Sequence, residues 1–270
     1  MTLALRQSLK KKLRHRELTI GSWITLGHAS IAEILAQAGF EWLVIDLEHT
    51  SITIADVQHL IQVIELGGCS PLVRVGENNP SLIKRVMDLG AHGVVVPLVN
   101  SKEEAQAAVR AVRYPPVGTR GVGLGRAQGY GADFEGYRDR REKESIVIVQ
   151  IEHIQAVDRL EAILSVEGID GFLVGPYDLS GSLGVPGQFE HPAVQGALQR
   201  IQTVAAQTRM AAGIHVIPPD PQKLLSAVHN GFRLIVFSFD ALFLGEIARS
   251  SLKAARALVA QNELATAGRV

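Results

Sequence analysis

The chain has 270 residues, and its 27 acidic side chains balance 27 basic ones. That balance excludes a general basic footprint for nucleic acid and an acidic solvating tail. With 47% apolar and 20% charged residues, the chain can bury a core and is not disordered.

The first residues (MTLALRQSLKKKLRHRE) scatter Leu3, Leu5, Leu9 and Leu13 among basic side chains, with no apolar region leading to a cleavage site. They read as a leading amphipathic helix rather than a signal peptide. The single cysteine, Cys69, excludes an intrachain disulfide and fits a cytoplasmic location. No apolar run approaches the roughly 18 residues that span a bilayer.

Strand-length apolar runs then alternate with helix-period segments. The predicted strands are Thr19–Trp23, Trp42–Asp46, Pro71–Val75, Gly93–Pro97, Ile146–Glu152, Gly171–Gly175, Ala212–Val216 and Leu234–Ser238. Their near-continuous Val/Ile/Leu character suits parallel strands covered on both faces. Helix punctuation lies between them. Asn79-Pro80 and Asp220-Pro221 place a cap before a proline, Gly90 and Gly231 stand at helix ends, and Ser101-x-x-Glu104 has the capping-box form. Eight strand–helix repeats predict a (β/α)₈ TIM barrel, an α/β fold, in one domain over residues 1–270. A doubly wound open sheet is the competing architecture, and the strand count and length favour closure. Between about 114 and 141 a Gly/Arg-rich stretch reads as a long loop after the fourth strand, of a length that is usually functional. The residues from Asp240 onward read as an extra C-terminal helix, long enough to pack on a neighbouring chain.

In such a barrel the active site gathers at the carboxyl ends of the strands. The polar residues there are Asp46, Glu48 and His49; Arg74 inside an apolar run; Gln150, Glu152 and His153; Tyr177 and Asp178; and His215. Glu152 and Asp178 are the candidate metal ligands. Two carboxylates with few other strong ligands suit a hard divalent cation such as Mg²⁺ or Mn²⁺, with Co²⁺ also admissible, and leave positions open for water and substrate. As simple helix caps they would need no metal. Asp46 and His49 form an Asp-x-x-His pair in which the carboxylate would orient an imidazole base, with Glu48 as the other possible partner. Arg74 reads as a clamp on substrate oxygens or as a structural ion pair. Trp23 is placed either at the mouth or in the barrel core. Gly121-x-Gly123-x-Gly125 lacks the dinucleotide spacing and its strand–turn–helix frame. His28, His59, His92, His191 and His229 read as structural or exposed. No lysine falls in a predicted strand or at its carboxyl end, so carbonyl chemistry here would need a metal rather than a Schiff base.

The stretches GFEWLVIDLEH (39–49), PLVRV (71–75), LGAHGVVVPLVNSKEEA (89–105), RYPPVGTRGVG (113–123), VQIE (149–152) and VEGIDGFLVGPYDLSGSLG (166–184) together resemble the HpcH/HpaI aldolases, the metal-dependent pyruvate aldolases. The resemblance implies a homo-oligomeric barrel, usually a hexamer (a trimer is the smaller alternative), whose terminal helices pack on neighbours. It implies a divalent metal on Glu152 and Asp178 that chelates pyruvate, with Gln150 lining the pocket and Trp23 near it. Backbone amides around Tyr177 and Asp178 would hold the pyruvate carboxylate. Arg74 would stabilise the enolate, and His49, oriented by Asp46, would do acid–base work as a 4-hydroxy-2-oxo acid splits into pyruvate and an aldehyde. The sequence departs from the family at Leu124 and the residues after it, at His215 and in the FSFD that ends strand eight, so the aldehyde half is altered. Leu124 and His215 are the candidate residues there. Related metal-enolate lyases of the phosphoenolpyruvate mutase/isocitrate lyase or citrate lyase β type, and an inactive barrel that binds or assembles, are the alternatives.

Overall fold

The structure is a computed structural model that describes residues 8–208 and 210–267, with the side chains of 140–142 and 263–267 outside the description. Leu3 and Leu5 of the expected leading helix lie outside the described residues. Eight parallel strands close into a barrel in the order β1-β2-β3-β4-β5-β6-β7-β8. They are β1 (Thr19–Ile24), β2 (Trp42–Asp46), β3 (Ser70–Arg74), β4 (Gly93–Val96), β5 (Ile146–Ile151), β6 (Gly171–Val174), β7 (Ala211–Val216) and β8 (Leu234–Phe239). Every predicted strand is present within one or two residues of its expected ends. Pairing of β1 with β8 excludes the open sheet.

Alternation along each strand sorts its side chains. One parity, including Ile45, Val73, Val94, Val149, Phe172 and Ile235, packs outward against the helices in the larger core. The other parity fills the barrel interior with Trp42, Val44, Leu72, Val95, Ile148, Leu173, Leu234 and Val236. Burying each such side chain contributes about 1.5–3 kcal/mol. Trp42 occupies the lower barrel, and a Cβ on Gly21 would lie 2.1 Å from its ring, so only glycine fits on the facing strand. Two residues further along the inward parity, the side chains become polar. Period two therefore delivers Asp46, Arg74, Gln150, Glu152 and His215 to the same end.

The covering helices form where the caps predict them. Asn79 Oδ1 accepts from the amides of Ser81 and Leu82 at the start of α4 (Pro80–Asp88), and Asp220 Oδ1 accepts from Gln222 N at the start of α12 (Pro221–His229). Gly90 and Gly231 take positive φ, as helix-ending glycines do. Ser101 caps α5 (Lys102–Val112) by accepting from Glu104 N, but the Glu104 carboxylate turns to the amide of Asn100, so only half of the capping box forms. The leading helix α1 (Leu9–Arg14) closes the amino end of the barrel. Its Leu9 and Leu13 join the interior cluster, and buried Lys10 pairs with Asp170 at 2.9 Å. Cys69 is buried on this side.

The stretch over 114–141 is not a structureless loop. It holds a 3₁₀ turn (Arg126–Gly131), a helical turn α6 (Phe134–Gly136) and a π turn (Tyr137–Arg141). Fully buried Arg120 anchors it, donating to the Tyr137 hydroxyl at 2.9 Å and pairing with Asp88, with its guanidinium 4.7 Å from the Tyr114 ring centre. Gln128 adds hydrogen bonds to Asp88 and the Tyr114 hydroxyl. These partners lie near the amino end of the barrel, where Arg126 pairs with Glu65. The last described element is α13 (Asp240–Ala267), whose Leu244, Ile247, Leu252, Leu258 and Val259 are exposed. Among the described residues no helix is long and apolar enough to cross a membrane.

Candidate active site

A cavity of about 810 Å³ opens at the carboxyl ends of the strands. Asp46, His49, Arg74, Gln150, Glu152, Tyr177, Asp178, Trp23 and His215 all line it. Residues separated by up to 192 positions in the chain therefore share one wall, as barrel closure requires.

Arg74 is the hub. Register places Asp46 of β2 directly beside Arg74 of β3. The Asp46 carboxylate accepts from Arg74 Nε at 2.9 Å and from Nη2 at 2.8 Å, a bidentate pair. Nη1 stands 3.1 Å from Glu48 Oε2, although this contact is not aligned as a hydrogen bond. The Trp23 ring closes the other side, its centre 4.3 Å from the guanidinium carbon. Two of the five N–H donors are spent on Asp46, so others remain for a substrate oxygen.

The expected orientation of His49 by Asp46 is not what the structure holds. Asp46 is taken up by Arg74 and by the backbone amides of Glu48 and His49, which its Oδ1 accepts at 3.0 and 3.5 Å. The His49 ring projects to the rim, where Nε2 lies 3.6 Å from Glu48 Oε2. The chain turns sharply after β2, so the three-residue spacing brings the backbone of His49, not its ring, to Asp46. Glu48 thus faces both Arg74 and His49. Its carboxyl is pushed up, first by burial, with Arg74 opposing and Asp46 and Asp178 adding repulsion.

Glu152 and Asp178 approach each other over Gly175. A Cβ on Gly175 would lie 2.9 Å from Glu152 Oε2 and 3.6 Å from Asp178 Oδ2, so glycine keeps a small chamber open between the carboxylates. Glu152 Oε1 accepts from the Leu98 amide at 2.7 Å and Oε2 from Gln150 Nε2 at 3.0 Å. The amide oxygen of the same side chain, Gln150 Oε1, is buried with no partner. Burial raises the Glu152 carboxyl, the Leu98 amide opposes this, and Glu48 and Asp178 add repulsion. Crowded anions, a cleared chamber and an orphaned oxygen fit a hard divalent cation. Among the described residues no group of three His, Cys, Asp or Glu side chains could hold a metal, so a bound cation would complete its shell from water or substrate. The first-turn amides of α10 (Pro176–Ser182) start beside this chamber with no helical partner of their own. The Tyr177 ring is exposed at the rim, edge-on to Phe189 at 6.3 Å.

One further expectation needs correction. Leu124 does not line the cavity of its own chain: it packs against Gly131 within the segment that runs over the amino end, far from the mouth. Lys223 does line the cavity, from the first turn of α12, although it sits outside any strand and remains exposed. Sequence reasoning also missed Asp240. It begins α13 and accepts from the amides of Thr25 and Leu26 and from the Thr25 hydroxyl, clamping the seam between β1 and β8. An aspartate after an apolar strand is the only signal that could have shown it.

His215 stands on β7 within the cavity wall. Burial holds its imidazole down to about 4, with a Ser238 backbone hydrogen bond opposing and Arg74 adding to the depression. The ring is therefore neutral in the folded chain at pH 5, while it is protonated in the unfolded chain. Below about pH 6.5 the unfolded state binds the extra proton, so the stability contributed by neutral burial falls as pH drops. Replacing His215 by leucine should shift the stability difference by about 2 kcal/mol in favour of the variant between pH 7 and pH 5. Urea unfolding of both proteins at the two pH values measures it, and a constant difference would contradict a neutral buried ring.

A closed barrel with paired carboxylates, a guanidinium and an imidazole at its carboxyl mouth defines a (β/α)₈ enzyme site of the kind that handles anionic carbonyl compounds. The family model described as HpcH/HpaI aldolase/citrate lyase matches residues 19–242, and the chain belongs to that family. The 2-keto-3-deoxy-L-rhamnonate aldolase of Klebsiella pneumoniae is 41% identical over 229 residues, covering 84% of this chain and 85% of that protein. The hydroxypyruvate/pyruvate aldolase of Roseobacter denitrificans is 36% identical, covering 88% of this chain and 92% of its own length. The crystal structure of an HpcH/HpaI aldolase/citrate lyase family protein from Burkholderia cenocepacia superposes with a TM-score of 0.87 at 36% identity, over 92% of this chain and 98% of that one.

Proposed function

We propose that this protein is a divalent-metal-dependent pyruvate aldolase, a carbon–carbon lyase that reversibly cleaves a 4-hydroxy-2-oxo acid to pyruvate and an aldehyde. The observation that carries this reading is the convergence of Glu152, Asp178 and Arg74 on one cavity. Glu152 and Asp178 would hold the cation, Mg²⁺, Mn²⁺ or Co²⁺, which when bound supplies positive charge to the carboxylate and keto oxygens of pyruvate.

In cleavage the 4-hydroxyl gives up its proton and becomes the aldehyde carbonyl, the C3–C4 bond breaks, its electron pair forms the C2=C3 bond, and the keto π pair moves onto the C2 oxygen as an enolate. Arg74 stabilises that oxygen with the N–H groups left free by Asp46, in a site shielded by Trp23. Asp46 fixes the plane of the guanidinium. His49 at the rim takes the hydroxyl proton at Nδ1, the ring nitrogen that does not face Glu48, with Glu48 rather than Asp46 as its carboxylate partner at Nε2. Gln150 steadies Glu152, and the amides at Tyr177 and Asp178 receive the pyruvate carboxylate. Protonation of the enolate at C3 then yields pyruvate, and the reverse sequence forms the bond. The exposed apolar side chains of α13 support a homo-oligomer, and we place the enzyme in the cytoplasm on its lone cysteine.

The test is deuterium exchange at the pyruvate methyl group in D₂O. The expected result is exchange that requires added Mg²⁺, Mn²⁺ or Co²⁺ and stops with a chelator. A methyl group left unexchanged by metal-replete protein would sink the reading.

A further inference from the structure

The mouth of the barrel has two unlike arcs. From β2 to β6 it is ionic. From β7 through β8 to β1 it is apolar and aromatic, lined by Ile214, Val216, Val236, Phe239 and Trp23. His215 is a half-buried polar exception in that second arc, where Thr25 and the exposed Lys223 also line the cavity. Its ring meets Trp23 edge-on at 6.1 Å and Phe239 at 6.3 Å. Its Nε2 is buried with no hydrogen-bond partner. Such an atom carries the desolvation cost of an unmade bond, which a substrate group can relieve. Thr25 on the same arc is no competitor, because its hydroxyl is given to Asp240.

The tautomer follows from the backbone. The hydrogen bond at Ser238 favours the protonated ring, so a backbone oxygen accepts from it. With Nε2 unpartnered, the donor is Nδ1, and Nε2 of the neutral ring presents a lone pair. That lone pair takes a donor such as a hydroxyl and repels a carboxylate. Distance from the reacting centre follows from Trp23, which touches the Arg74 guanidinium on one side and His215 on the other. The aldehyde is the half of the substrate that carries hydroxyls beyond the reacting carbonyl.

We propose that His215 is a specificity-determining residue for the aldehyde half of the substrate, its Nε2 accepting a hydrogen bond from a hydroxyl, so that the enzyme favours hydroxyaldehydes over their deoxy counterparts. This rests on the aldolase reading above. The experiment measures kcat/KM with pyruvate for glycolaldehyde against acetaldehyde and for lactaldehyde against propionaldehyde. It uses wild type, His215→Leu and His215→Phe. Comparing each ratio between proteins cancels the intrinsic reactivity of the aldehydes. The expected result is a ratio that favours the hydroxyl in wild type and falls about tenfold in both variants, the scale of one hydrogen bond in a dry site. Pyruvate methyl exchange, which needs no aldehyde, reports separately on folding and on the enolate half. Variants that exchange but keep the wild-type ratio overturn the role of His215 alone. Variants that no longer exchange make the ring structural and also overturn it. A wild type that fails to exchange overturns the aldolase reading itself.

Discussion

Replacing Arg74 by alanine should lower kcat for aldol cleavage by about 10²–10³-fold, the usual cost of removing one donor aimed at a developing oxyanion. The same change should destabilise the fold by about 3–5 kcal/mol, because it strands a buried carboxylate. Asp46 is 2% exposed and spends both oxygens on this guanidinium. The two effects separate in Arg74→Lys. Lysine keeps a positive charge beside Asp46 and Glu48 but cannot reproduce the planar fork or its stacking on Trp23. Most of the stability should return while most of the rate stays lost. Denaturant unfolding and single-turnover cleavage of a 4-hydroxy-2-oxo acid measure the two quantities. A lysine variant that recovers full turnover would reduce Arg74 to a structural cation.

Glu152→Gln should abolish metal-dependent exchange and weaken Mn²⁺ binding by more than about 100-fold, since loss of an outer partner alone costs 10–100-fold. Glutamine keeps an acceptor for the Leu98 amide and a similar shape, so the wall should survive. The sign of the stability effect is opposite to that of the activity effect. Burial and the neighbouring carboxylates raise the Glu152 carboxyl, so its ionised form is disfavoured in the folded chain. Removing the charge therefore stabilises the metal-free protein at neutral pH. Metal reverses the order, because a cation at 100 times its Kd stabilises wild type by about 2.7 kcal/mol and the variant hardly at all. Thermal melts with and without Mn²⁺, together with titration calorimetry, check both halves. A variant whose melting temperature rises with Mn²⁺ as much as that of wild type would move the metal away from Glu152.

The barrel was legible because parallel strands buried on both faces leave long Val/Ile/Leu runs, and because proline and glycine mark the helix ends. Arg74 was legible for a related reason: a guanidinium inside PLVRV has no solvent to face. Glu152 and Asp178 followed from their places just past strand ends. The pairing of Asp46 was not legible. A spacing of three suggests contact with His49, while the true partner lies 28 residues away and is fixed by the register of β2 against β3. Leu124 was misplaced because sequence shows the length of a connection but not which end of the barrel it crosses. Arg120, buried among Tyr114, Tyr137 and Asp88, holds that connection on the amino side.

The short helix at the amino end has a consequence for traffic. Among the described residues Leu9 and Leu13 stopper the amino end of the barrel, and the cavity opens at the carboxyl mouth. In the proposed reaction, water, cation, pyruvate and aldehyde share that mouth. Whatever lies deepest, against the paired carboxylates, enters first and departs last, which makes an ordered kinetic sequence a property of the plumbing rather than of affinity.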